Sequence, residues 1–253
     1  MRVGIIGFGH VGGAMYRIFP NATIYDAPKG IGNIEEINKC DIAFVCVPTP
    51  MSDNGSCNTT IVDQVLEQVN SKVIVLRSTV PVGYTDHKTQ VLNKRIVFQP
   101  EYYGETVAHP FADLSDRRWI TIGGEKSACS FVAKLYKEVY TSELYINIVD
   151  AKTAELAKYM ENTFLAAKVT FCNEFYDLAN ALGVNYDILR ETWLLDPRIG
   201  RSHTFVYEDN RGYGGSCLPK DIAAMVFQGE SAGVDVSLMK SIIKKNSYIK
   251  GED

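Results

Sequence analysis

Residues 2–13 read RVGIIGFGHVGG, and the order apolar run, glycine-rich turn, amphipathic run decides the fold. Gly7, Gly9 and Gly12 form a G-x-G-x-x-G element that follows a strand candidate and opens a helix candidate. The first glycine permits the tight turn, the second lets a pyrophosphate approach the backbone, and the third lets helix and strand pack closely. Free N–H groups at the helix start then face the phosphates. The next strand candidate, ATIYD, ends at Asp26, 19 residues beyond Gly7. A carboxylate there accepts hydrogen bonds from both ribose hydroxyls and repels a 2′-phosphate, which favours NAD over NADP. The alternative is a tight strand-to-helix turn with no ligand. His10, inside the loop, reads as a surface residue rather than a catalyst.

Outward from this motif, RVGIIG, ATIYD, DIAFVCV, KVIVLRS, RIVFQP and RWITIGG are short, β-branched and bounded by Gly, Pro, Asn or Asp. They alternate with amphipathic stretches such as VGGAMYRIF and TTIVDQVLEQV. That alternation predicts a Rossmann-like, doubly wound parallel sheet covered on both faces. The pattern changes near residue 150. From Asp150 to about Leu182 there is no Pro or Gly, and apolar residues at 156, 159, 160, 164, 171, 175, 178 and 182 keep one helical face. One long helix is expected there, a shorter one from about Asn185 to Leu194, an irregular stretch over 196–216, and helices from near Pro219 and near Asp235. The expected organisation is an α/β dinucleotide domain over 1–150 and an all-helical domain over 151–253.

Composition narrows the function. The chain has 253 residues, 46% hydrophobic and 22% charged, with a net charge of −4, so no global charge draws it to nucleic acid or an anionic membrane. The basic stretch KSIIKKNSYIK reads as a solvated helix face, and no run of about 18 apolar residues predicts a membrane span. The start MRVGIIGFGH runs directly into the fold pattern and does not read as a signal peptide. Six scattered cysteines form no C-x-x-C pair, and the four histidines lack ligand spacing. The expectation is reduced thiols, a cytoplasmic location and no metal.

The stretch RGYGGSCLPKD, 211–221, carries the chemistry. Pro219 marks a helix start. Cys217 stands just before it, where the helix N-terminus and Lys220 favour the thiolate. Gly214 and Gly215 leave room for a substrate, and Asp221, four residues on, projects back as a base or orienting group. The alternative is an inert buried cysteine.

Taken together, these segments resemble the UDP-glucose/GDP-mannose 6-dehydrogenase family. GGSCLPKD (214–221) resembles its catalytic-cysteine motif. VPTP (47–50) and STVPVG (78–83) resemble its NAD-side loops, and QPEYYGE (99–105) its Asn-Pro-Glu-Phe-x-x-Glu segment. ELAKYMENTFLAAKVTFCNE (155–174) resembles its central helix, and DPRIG (196–200) the loop before the cysteine. The resemblance covers nearly the whole chain. Tyr213 replaces the phenylalanine usual before Gly-Gly, a packing change only.

The resemblance implies oxidation of a sugar C6 alcohol to a carboxylate, with two NAD⁺ consumed and no free aldehyde released. Cys217 matches the nucleophile that forms a thiohemiacetal and then a thioester. Lys158 and Asn162 match the donors that stabilise developing oxyanions, and their spacing of four puts both on one helix face. Asp221 matches the group that helps activate water. Glu101 matches the glutamate proposed as base, Thr79 a neighbouring active-site threonine, and Glu105 a second glutamate near cofactor and substrate. Pro48, Thr49, Thr79 and Lys220 match the NAD side, and Arg198 an arginine that reaches the sugar. Gly214 lies on the substrate side.

The family has a third part, a second α/β domain that binds the nucleotide half of the sugar nucleotide. It is not expected within these residues, which stop at GED (251–253). The long helix is the expected homodimer face. UDP-glucose is the expected substrate, because the central helix and DPRIG loop look most like that branch. GDP-mannose or a UDP-N-acetylhexosamine is the same-class alternative, and a non-catalytic NAD-binding or dimerisation module the other. A β-hydroxyacid dehydrogenase explains the glycine loop but not the cysteine loop.

Overall fold

The computed structural model describes residues 1–102, 118–140 and 144–252. It divides into two compact units. The first is Met1–Pro50 with Cys57–Lys158, and the second is Met51–Ser56 with Tyr159–Asp253.

The first unit is built on a seven-stranded sheet. Its strands are β1 (Val3–Ile6), β2 (Thr23–Tyr25), β3 (Ile42–Val45), β4 (Val73–Leu76), β5 (Ile96–Phe98), β6 (Trp119–Gly124) and β7 (Tyr145–Val149), in the order β2-β1-β3-β4-β5-β6-β7. Every residue of β1, β3, β4 and β5 is buried. A strand covered on both faces has no solvent side, so its sequence runs apolar without alternation. The ladder shows how the faces divide. Ile5, Phe44, Val75 and Val97 lie in one row and join one core cluster, with Met15 of α1 (His10–Ile18) and Val132 and Tyr136 of α5 (Lys126–Val139). Ile6, Val45, Leu76 and Phe98 form the next row and face the opposite way. They pack with Ile37 of α2 (Ile34–Ile37), Val62 and Leu66 of α3 (Thr60–Gln68) and Tyr84 of α4 (Tyr84–Leu92). The sheet is doubly wound, as the alternation of strand and helix patterns predicts.

Two features differ from the sequence expectation. The sheet is mixed: β5 and β6 pair antiparallel, and β6 and β7 run parallel to each other. An antiparallel neighbour needs no covering crossover, so alternation alone does not detect the reversal. The strand YINIV, β7, is also an addition. Tyr145 is 67% exposed and Ile148 39%, as suits a strand at the edge of the sheet, and its five residues offer little pattern between two helices.

The helical unit consists of the remainder of α6 (Ala151–Ala181), then α7 (Tyr186–Trp193), α8 (Leu218–Ser231) and α9 (Ser237–Lys250). The 31 residues of α6 span about 46 Å at the α-helical rise. Its side chains at Met160, Phe164, Phe171, Phe175 and Leu178, with Leu182 just past its end, are exposed, an apolar stripe at helical spacing. Ala166, Tyr213, Ile222 and Ile242 form a small core under α8 and α9, and Cys172, Ala179 and Tyr186 another beneath α7. The basic stretch near the C-terminus lies on α9, with Ile242 and Asn246 turned inward. Gly55 of the Met51–Ser56 segment lies against α8, where a Cβ would stand 3.6 Å from that of Ala223.

Candidate active site

Steric contacts dictate the glycine loop of the first unit. Gly7 has φ +84°, and a Cβ there would stand 2.7 Å from the Cys46 carbonyl oxygen. A Cβ on Gly12 would lie 1.9 Å from the Gly7 carbonyl oxygen. Gly9, the N-cap of α1, faces open space. Two of the three glycines therefore close the strand-to-helix turn, and the third leaves a clear approach to the helix N-terminus. Asp26 is buried; its carboxylate accepts from the backbone N–H groups of Phe8 (2.7 Å) and Lys29 (3.1 Å). Lys29 Nζ donates to the Phe8 carbonyl at 2.6 Å, so the loop and the acidic strand end are tied together. This cradle, with α1's N–H groups beyond Gly9 and an acid beside them, fits a dinucleotide diphosphate and ribose. His10 is the exposed first residue of α1.

The loops after β3 and β4 lie in the same unit. Thr49 is buried and Pro48 exposed. Thr79 is half-buried, and its carbonyl accepts from Cys57 Sγ at 3.4 Å. Glu101 is buried and ion-paired with Arg77, whose guanidinium also donates to the carbonyls of Gln99 and Pro100 at 3.3 Å each. Lys158 is buried with Nζ 5.1 Å from the Tyr102 ring centroid. Glu155, fully buried on α6, accepts from Gly83 N (2.6 Å) and Thr85 N (2.9 Å) and so caps α4 after the STVPVG loop. Burial pushes its carboxyl above the ordinary range. Glu105 lies outside the described residues.

In the second unit Cys217 is the N-cap of α8, with Pro219 in the first turn. Cys217 is exposed, whereas the other five thiols are buried or half-buried. Burial drives Cys46 up to about 12 and Cys129 up to about 11, so both stay protonated. One turn into α8, Asp221 is 1% exposed. Its carboxylate accepts from Asn162 Nδ2 at 2.5 Å on one oxygen and from Lys220 Nζ at 2.5 Å on the other. Asn162, Lys220 and Asp221 thus form one hydrogen-bonded group at the start of the cysteine helix. Gly214 is exposed. Arg198, 85% exposed at its side chain, folds back onto Asp196 of its own loop.

Several contributors escaped the sequence reading. Arg77 is a charge at the end of an otherwise apolar strand, which is the one local signal of a buried ion pair. Asn173 and Asn246 hold the segment before Gly214 and carry no local signal, since their partners lie 38 and 33 residues away.

Comparison with known proteins identifies the family. Residues 31–143 match the model of the UDP-glucose/GDP-mannose dehydrogenase family NAD binding domain, and residues 152–248 that of the family's central domain. NAD is accordingly the dinucleotide. The UDP-glucose 6-dehydrogenase of Rickettsia prowazekii is 30% identical over 221 residues, covering 83% of this chain and 50% of its own length. That of Pseudomonas aeruginosa is 30% identical over 233 residues, covering 85% and 50%. The chain therefore spans about half the length of the curated relatives it matches. Among solved structures, a UDP-glucose dehydrogenase from Pyrobaculum islandicum superposes with a TM-score of 0.84 at 27% identity, covering 98% of this chain and 68% of that one. The UDP-D-ManNAc dehydrogenase of Pyrococcus horikoshii shares the fold, with a TM-score of 0.81 at 22% identity over 98% of this chain and 69% of its own.

Proposed function

The chain belongs to the UDP-glucose/GDP-mannose dehydrogenase family, and from that premise we propose that it oxidises the C6 alcohol of a nucleotide sugar, UDP-glucose, to the carboxylate. The observation that carries this reading is Cys217: of six cysteines it alone is exposed, and it stands at the N-terminus of α8 with the buried Asp221 one turn on.

NAD⁺, when bound at the Gly7–Gly12 loop and Asp26, supplies the hydride acceptor for each of two oxidations. The residues supply the rest. Glu101, ion-paired with Arg77, takes the C6 hydroxyl proton directly or through water as the alcohol becomes an aldehyde. The Cys217 thiolate adds to the aldehyde carbon, forming a C–S bond and a thiohemiacetal oxyanion. Lys158 and Asn162 donate to that oxygen. Loss of the second hydride from C6 leaves a thioester on Cys217. Asp221 orients and deprotonates the attacking water, the C–S bond breaks, and the thiolate returns as the carboxylate leaves. Thr79, Pro48, Thr49 and Lys220 line the NAD side. Glu105, Arg198 and Gly214 belong to the sugar side in this reading. The exposed stripe of α6 supports a homodimer through that helix, because an apolar face of this extent calls for a cover. Six cysteines, none of them in a disulfide, suit a reducing, cytoplasmic compartment.

The second reading is an NAD-binding or dimerisation module without turnover. NADH formation with UDP-glucose, GDP-mannose and a UDP-N-acetylhexosamine, run beside Cys217→Ala, separates the readings. Two NADH per sugar, lost in the variant, support the enzyme. NAD binding without turnover supports the module.

A further inference from the structure

The cysteine loop has a fixed root and an open arc. Residues 214–217 are exposed, and no atom lies within 4 Å of a Cβ built on Gly214 or Gly215. Immediately before them the chain is gripped. Asn246 on α9 is buried and bonds both polar groups of one residue, accepting from Tyr213 N at 2.7 Å and donating to Tyr213 O at 3.0 Å. Asn173 on α6, 1% exposed, accepts from Arg211 Nε (2.7 Å) and Gly212 N (3.2 Å) on its side-chain oxygen. Its own amide donates to Val169 O at 2.9 Å, which fixes its orientation. The Arg211 guanidinium continues to Asp177 at 2.8 Å and lies over the Tyr176 ring. Gly212 fits between the two grips only because it lacks a side chain: its φ is +74°, and a Cβ would stand 2.6 Å from Asn246 Oδ1. The Tyr213 ring then packs with Ile222 and Leu218 of α8, the helix that Cys217 caps.

We propose that Asn246 and Asn173 are positioning residues for Cys217. They hold the peptides of Gly212 and Tyr213 as a rigid root, so that the arc 214–217 delivers the thiol to one place at the start of α8. Neither side chain touches the sulfur. Each replaces, with a side-chain amide, the backbone partner that an irregular loop otherwise lacks. The paired bonds to Tyr213 mimic a strand neighbour, and leaving either group buried and unmatched is costly. A nucleophile displaced by about 1 Å loses on the order of 100-fold in rate, which gives a distant asparagine its leverage. The inference rests on Cys217 being the nucleophile of the proposed reaction.

The test compares the unaltered chain with Asn246→Leu, Asn246→Asp and Gly212→Ala. Readouts are Tyr213 amide exchange, alkylation of Cys217 by iodoacetamide relative to the half-buried Cys57 in the same sample, NAD affinity, and NADH formation with UDP-glucose. Asn246→Leu is expected to speed Tyr213 exchange by about tenfold or more and to change the Cys217-to-Cys57 labelling ratio at least threefold. It is also expected to lower kcat by about 10- to 100-fold, with NAD affinity unchanged. Asn246→Asp keeps the acceptor for Tyr213 N and should fall between. Gly212→Ala presses on the same contact from the loop side and should move the same readouts. If Asn246→Leu does not fold, the two milder variants decide. Folded variants whose labelling ratio and turnover match the unaltered chain overturn the proposal. If the unaltered chain makes no NADH while labelling still differs among variants, the catalytic reading falls and the positioning role stands.

Discussion

The glycine loop of the first unit and the cysteine loop of the second are both turns that lead into a helix, and they are built by opposite means. The glycine loop is closed by backbone against backbone: Gly7 against the Cys46 carbonyl, Gly12 against the Gly7 carbonyl. The cysteine loop is open where the chemistry is proposed and is held behind that point by the side chains of Asn246 and Asn173. A backbone-built site tolerates almost no added atom but needs no distant partner. A side-chain-built site leaves space for a ligand and depends on residues elsewhere in the chain.

The sharpest way to break the comparison is Cys217→Ala. It should reduce acid formation by about 1,000-fold or more and leave NAD binding intact, measured by NADH yield and by cofactor titration. Retained acid formation would remove the second loop's claim to chemistry. Next is Gly12→Ala, where the new methyl would overlap the Gly7 carbonyl. The turn has to open at a cost of about 1–3 kcal/mol, and NAD affinity should fall with little change in Cys217 alkylation. A third test concerns the buried pair behind the first unit's loops. Arg77→Met and Glu101→Gln should each destabilise by about 3–5 kcal/mol, and the double variant by less than their sum, as read by denaturant unfolding. Simple additivity would mean that the pair is not coupled.

Two smaller effects depend on pH. A thiol raised to about 12, as at Cys46, is only about one part in ten thousand thiolate at pH 8. Peptide mapping after alkylation at that pH should find Cys217 modified and Cys46 and Cys129 untouched until the protein unfolds. Glu155 gives the smallest effect. Its folded-state pKa lies above the unfolded value, so the native state holds the proton more tightly. The stability this contributes is present below the ordinary carboxylate pKa and is lost as pH rises through the raised one. The melting temperature of the unaltered chain should therefore fall relative to that of Glu155→Gln as pH rises out of the ordinary carboxylate range.

Legibility in the sequence follows the same division. The strands VGII, IAFV and VIVL were readable because burial on both faces forces unbroken apolar runs, and the Gly7–Gly12 turn because steric closure leaves a local trace. The long α6 was readable from its unbroken periodicity. Besides the edge strand β7, three features were not readable. The reversal at β6 leaves the alternation of elements unchanged. Arg77 meets Glu101 24 residues away, and Asn246 meets Tyr213 33 residues away. Hydrogen bonds of that separation depend on the finished fold and not on any local pattern. Arg198 shows the converse, since a residue marked by resemblance is bonded in the structure to its near neighbour Asp196.

The six residues Met51–Ser56 group with the helical unit although they are threaded through the nucleotide unit's chain. Anyone building a chimera with a relative therefore faces three junctions rather than one. A graft cut once near residue 158 would leave the recipient's helices beside a foreign copy of that short segment, and Gly55 beside Ala223 is the place to look for the mismatch.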